Sequence, residues 1–174
     1  MGVTKRYSRR WDNCLSYWAT KSHRWLRGTA GIVGNPNDNL FPIDNTWAWK
    51  ARAAGTYFLP KGFEISSFFR AQSGTPGQRV SQFKGPALSR GSTTLRMGPF
   101  GQFRGPVVPL LNIKAAKVFT VHGHFKFEGS AQLFNVTNSS AYVSTNYLTG
   151  ASTFGVASEV LSPRVLRLGG VFSF

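Results

Sequence analysis

His122 and His124 stand two residues apart at the start of a candidate strand, on one face, and would form half of a metal site. A third ligand is not apparent, and solvated turn histidines are the simpler reading. Cys14 is the single cysteine, which leaves no internal disulfide and no cysteine cluster for a metal. Glu64, Glu128 and Glu159 lie on separate segments, and no Ser-His-Asp or Cys-His arrangement accompanies them. General acid/base and nucleophilic chemistry therefore have no candidates, and the chain is not expected to be an enzyme. Gly28, Gly31 and Gly34 are spaced three apart but do not lead from a strand into a helix with a phosphate-binding Lys, so they read as a flexible loop. Asn135-Val136-Thr137 and Asn138-Ser139-Ser140 match glycosylation sequons. No cofactor is implied.

The remaining chemistry is cationic. Lys and Arg number 21 against six Asp and Glu, a formal charge of +15 over 174 residues, which asks for an anionic partner. Lys5, Arg6, Arg9 and Arg10 form one basic run; Arg79, Lys84, Arg90, Arg96 and Arg104 form another, interleaved with Phe83, Phe100 and Phe103. Neither comes with an RNA-binding signature or a helix-turn-helix pattern, so nucleic acid is not the expected partner. Aromatic residues are 14% of the chain, with fifteen Phe, more than a disordered chain carries. No run approaches 18 apolar residues, so no transmembrane helix is expected. The first ten residues hold no apolar run, and no secretory signal is expected in this chain.

The elements that must position these residues show alternation with period two rather than helical periodicity. Seven strands are predicted, near residues 3–7, 11–22, 47–59, 62–73, 107–119, 124–135 and 165–174. On one face fall Trp47, Trp49, Ala51, Ala53, Gly55 and Tyr57, then Phe63, Ile65, Ser67, Phe69 and Ala71, then Leu111, Ile113, Ala115 and Phe119. Phe125, Phe127, Ala131 and Leu133, and finally Leu166, Leu168, Gly170, Phe172 and Phe174, continue the pattern. The other face carries Lys50, Arg52, Glu64, Arg70, Lys114, Lys126, Glu128 and Arg167, with Lys117 an intruder on the apolar side. Connections alternate strictly: tight turns at 8–10, 60–62 and 120–123, and long segments at 23–46, 74–106 and 136–163 rich in Gly, Pro, Ser, Thr and Asn. That alternation is the habit of an outer-membrane barrel, with short turns facing the periplasm and long loops outside. Trp47 and Trp49 fall near one interface, and Tyr57, Phe63, Phe119 and Phe125 near the other, as aromatic girdles do. The polar face then lines a lumen. A soluble sandwich would tolerate the same alternation.

Four stretches resemble a known family. Lys5-Arg6-Tyr7-Ser8 with Leu15-Ser16-Tyr17-Trp18-Ala19-Thr20-Lys21-Ser22 is similar to a "KRFS…ASYTWSKS" hairpin; Gly55 to Gly62 running on to Phe69-Arg70-Ala71-Gln72-Ser73-Gly74-Thr75-Pro76 is similar to "GSYQLPWG…FRYQSGQP". Ala131 to Asn138 resembles "DVFNLFN", and Thr153-Phe154-Gly155 with Ser162 to Gly169 and Phe172-Ser173-Phe174 resembles the closing "FG…SPRxxRLGxRFSF". The quoted patterns are those of the TonB-dependent outer-membrane receptors, in the branch with a carboxypeptidase-regulatory-like N-terminal domain, which this chain resembles. The likeness runs from about residue 3 to the last residue. Phe58, Phe68 and Gly170 depart from it, at positions where the family places polar residues.

The resemblance implies an all-β fold, an antiparallel transmembrane segment of about seven strands from a 22-stranded barrel that closes around a plug. Residues 1–174 would be its C-terminal portion, a fragment lacking plug and signal peptide, in the bacterial outer membrane. Implied partners are the rest of the barrel and plug, the TonB complex through that plug, the barrel-assembly machinery and lipopolysaccharide; the solute is unidentified. The alternatives are a small eight-stranded barrel, with its eighth strand between Val80 and Met97, and a basic soluble β-protein that binds nucleic acid. Phe174, with Phe172, Leu168 and Leu166 before it, resembles the C-terminal signal read by the assembly machinery through strand augmentation. Deleting Phe174 from the full receptor is expected to lower its yield of heat-modifiable, membrane-inserted barrel; undiminished insertion would refute the signal.

Overall fold

A computed structural model describes residues 1–25, 43–86, 88, 91–121 and 125–173. Thirteen strands follow one another: β1 (Gly2–Ser8), β2 (Trp11–Trp25), β3 (Ile43–Phe58), β4 (Phe63–Gln72), β5 (Pro76–Gly77), β6 (Val80–Lys84), β7 (Ser92–Arg96), β8 (Phe103–Arg104), β9 (Val108–Val121), β10 (Phe125–Phe134), β11 (Tyr142–Thr145), β12 (Ala157–Val160) and β13 (Val165–Ser173). Seven of them form one antiparallel sheet in the order β1-β2-β3-β4-β9-β10-β13. Each strand thus pairs with its nearest long neighbour in sequence, an up-and-down meander.

The predicted strands all lie in this sheet, and three boundaries move by two residues or more. β2 and β3 pair over fifteen consecutive residues, from Trp11↔Tyr57 to Trp25↔Ile43, so the first long connection is shorter than 23–46. Once two strands are in register, each further residue satisfies its backbone groups at little added entropy, which carries the ladder beyond the alternating stretch. β9 runs to Val121, past the expected turn start at Thr120. His122, His124, Phe174 and the glycines at 28, 31 and 34 lie outside the described residues.

The other long connections are built structures rather than plain loops. β5 pairs with β8, and β6 with β7, all between β4 and β9; β11 pairs with β12 between β10 and β13. The segment expected to supply an eighth strand is the β6–β7 hairpin, which is separate from the seven-stranded sheet. Its two strands pair with each other, Val80 also bonds to the segment 147–149, and strands of five residues are too short to span a bilayer. The eight-stranded alternative loses its last strand.

Asn135 closes the far end of the meander. Its side chain is 2% exposed, donates from Nδ2 to the Ser139 and Ser162 carbonyls at 3.0 and 2.8 Å, and accepts from the Ser139 amide at 3.0 Å. Its own amide donates to Asn112 Oδ1 at 3.0 Å. One residue therefore ties the exit of β10 to β9 and to the approach of β13, and its amide nitrogen is committed to carbonyls rather than open to glycan attachment.

The tight turns collect left-handed residues. Arg9 (φ 51°) and Arg10 (φ 70°) form the two-residue connection of the β1–β2 hairpin, and Lys61 (φ 64°) and Gly62 (φ 76°) lie between β3 and β4. Positive φ at both central positions matches the twist of paired strands, but arginine carries a Cβ cost there that asparagine and glycine avoid. A Cβ added at Gly62 would lie 2.7 Å from the Val118 carbonyl oxygen. Arg9→Asn with Arg10→Gly is expected to raise stability by about 1–2 kcal/mol, and Gly62→Ala to lower it by about 1–3 kcal/mol, each read from urea midpoints in detergent.

Candidate functional site

The register assigns every strand residue to one of two faces. Trp11, Leu15, Tyr17, Ala51, Ala53, Ile65, Phe69, Ile113, Ala115, Ala131 and Leu168 share one face with the expected interface aromatics Trp47, Trp49, Tyr57, Phe63, Phe119 and Phe125. None of the described residues outside the sheet covers this face. Trp47 is 57% exposed, Phe172 58% and Leu168 73%, while only Ala71, Val108 and Ala116 are buried hydrophobics among the described residues. Exposed apolar side chains that follow one another across neighbouring strands form the kind of contiguous patch that marks an interaction surface.

The charges on that face are three lysines and no acid among its described residues, and each lysine leans on a ring. Lys5 Nζ stands 3.7 Å from the Trp11 ring centroid, Lys21 Nζ 5.8 Å from Trp47, and Lys117 Nζ 4.5 and 4.7 Å from Phe63 and Phe119. Lys5 and Lys117 lie at the tight-turn end and Lys21 at the long-connection end, so the intruding Lys117 belongs to a row of ammonium groups that reach outward from the apolar band. Phe125 stacks on Phe172 at 5.8 Å, and Phe119 meets Phe127 at 6.2 Å. Trp47 and Tyr57 are ten residues apart on β3, about 33 Å along the strand.

Lys50, Arg52, Glu64, Arg70, Lys114, Lys126, Glu128 and Arg167 all occur on the opposite face. Their signs are unevenly placed. Towards the tight turns, Lys114 Nζ donates to Glu128 Oε1 at 2.8 Å, and Ser66 Oγ donates to Glu64 Oε1 at 3.0 Å and lies 3.4 Å from Thr56 Oγ1. Towards the long connections, Arg52 sits directly opposite Arg70, and Lys50 between Trp18 and Gln72. Lys126 pairs in register with Thr120 and Ser173, and Arg167 with Gln132. Phe58 and Phe68 share this face; Phe58 meets Tyr7 edge-on at 5.3 Å. Cys14 lies here too, exposed, opposite Ala54. No group of three His, Cys, Asp or Glu capable of holding a metal occurs among the described residues.

Sequence patterning missed a third feature, because it arises between two long connections. Phe103 stacks on Tyr147 (5.0 Å, 9° between planes), and Phe154 meets both edge-on at 6.5 and 6.4 Å. The Arg79 guanidinium lies 6.0 and 5.7 Å from the Phe103 and Phe154 rings. Val80 and Leu148 form a parallel bridge, Thr149 N donates to the Val80 carbonyl at 2.7 Å, and Thr75 Oγ1 donates to the Val143 carbonyl at 2.9 Å. The basic Phe-rich segment of 74–106 is thereby folded against the segment 142–154. Comparison with protein-family models, with curated proteins and with solved structures finds no match. No described helix is long and apolar enough to cross a membrane, which leaves strand crossings open. Gly77 underlies the Tyr147 ring so closely that an added Cβ would overlap it. Gly77→Ala is expected to detach the segment 142–154 and raise its rate of limited proteolysis, with the strand signal in circular dichroism retained.

Proposed function

We propose that this chain is wall of an outer-membrane β-barrel of the TonB-dependent receptor type, contributing to energy-coupled uptake of a solute. The observation that carries the reading is the uncovered apolar face of the seven-stranded meander, edged at both ends by aromatics with lysines leaning on them, about 33 Å apart along the strand and so about 25 Å along a membrane normal at a tilt near 40°. Lipid supplies the missing cover: hydrocarbon meets the central Leu, Ile, Ala and Phe, while indole rings and ammonium groups reach the headgroups. The opposite face, with its ion pair and clustered cations, is the side a hydrated or plugged lumen requires.

The edges agree with a larger barrel. Strands β1 and β13 each have one neighbour, and every described residue of β13 is exposed. Both run from the long-connection end to the tight-turn end, so pairing them directly would be parallel. Antiparallel closure takes an odd number of further strands, as a 22-stranded receptor provides. In that assembly the β5–β8 and β11–β12 hairpins lie outside the cell, where basic side chains meet lipopolysaccharide phosphates. The plug and the TonB complex act on the lumen side, and the assembly machinery engages β13.

Two single-tryptophan versions of the chain test the reading, one keeping Trp47 and the other Trp18. Reconstituted into liposomes of brominated phosphatidylcholine, the Trp47 protein is expected to be strongly quenched and the Trp18 protein weakly. A chain that stays monomeric in detergent-free buffer, or equal quenching of both tryptophans, would overturn it.

A further inference from the structure

Arg52 and Arg70 oppose each other in register on β3 and β4, which puts two guanidinium groups on adjacent strands whose Cβ atoms are about 5 Å apart. Lys50, two residues along β3 on the same face, adds a third cation about 7 Å away. Like charges directly opposite destabilise a sheet, so the arrangement is one that an acid would normally relieve. No acid is at hand. The nearest on this face, Asp12, is four residues along β2 from Ser16, the residue that faces Arg52, or about 13 Å along the strand. Glu64 and Glu128 are engaged with Ser66 and Lys114.

Two further observations point to a missing acceptor. Arg70 Nε is shielded from solvent and has no hydrogen-bond partner, a state that buried polar groups seldom keep. Beside the cluster, Ser16, Trp18, Lys50 and Arg52 line an open cleft of about 270 Å³, in which Lys50 Nζ lies 5.8 Å from the Trp18 ring. The geometry points to a binding site for a small polyvalent oxyanion, a carboxylate- or phosphate-bearing solute, seated between Arg52, Arg70 and Lys50 with its carbon skeleton against Trp18. Planar guanidinium groups suit such oxygens because each can donate two parallel hydrogen bonds. Placement of the site in a transport lumen rests on the barrel reading; the site itself depends only on the β2–β3–β4 register.

The test is calorimetric titration of the full chain, refolded in zwitterionic detergent with strand content checked by circular dichroism, using citrate and inorganic phosphate as separate titrants. Saturable binding of at least one is expected, weakened about tenfold or more by Arg52→Gln with Arg70→Gln and by high salt, and unaffected by Lys126→Gln on the same face. Citrate alone would identify a carboxylate solute, and phosphate alone a phosphate solute. Absence of saturable heat with both anions from folded protein would overturn the proposal, as would equal weakening by Lys126→Gln. If the double variant fails to fold, Arg70→Lys decides: it keeps the charge and loses the planar fork, and undiminished affinity there refutes the site. Loss of lipid quenching at Trp47 with anion binding retained would sink the membrane reading alone.

Discussion

The structure depends on an unbroken antiparallel register. From β2 to β13 the five ladders of the main sheet run without a bulge, and the single slip is between Lys5 and Ser8 against β2. Because side chains alternate with period two, one residue of slip in any ladder would exchange the faces of that strand. Arg52 and Arg70 would then stand among Ala53, Phe69 and Leu111, and the two-sided character of the sheet would be gone. Backbone hydrogen bonding thus determines where the charges go.

That separation of faces explains why a strongly basic chain can present so apolar a surface. The formal charge of +15 is spread over the polar face, the turns and the long connections, and the lysines on the apolar face are placed at its two ends. An alkyl stem can cross apolar territory while the ammonium group finds a ring and the polar boundary beyond it. The polar face shows the complementary economy. Lys114 has Glu128, whereas the Arg52–Arg70–Lys50 group has no acid beside it among the described residues.

The parts legible in the sequence were those governed by local alternation. Trp47 to Tyr57, Phe63 to Ala71 and Phe125 to Leu133 alternate cleanly, and their strands and faces follow directly. The interior of 74–106 and 136–163 was not legible. Its strands are two to five residues long, below the length at which a period can be recognised. Phe103 and Tyr147 carry no mutual signal along the chain, and Asn135 read as one residue of a sequon before its hydrogen bonds placed it at the junction of three strands.

By itself, then, the sequence determined the strand class, the meander and the division into a cationic and an apolar side, because alternation and turn chemistry act between near neighbours. Tertiary structure alone decided which charges meet. Arg52 faces Arg70 across the turn at Pro60–Gly62, Lys114 reaches Glu128 across another, and residues 79 and 80 join 147 and 148 from separate connections. Such meetings depend on register and on the packing of distant segments, which the order of residues along the chain does not display.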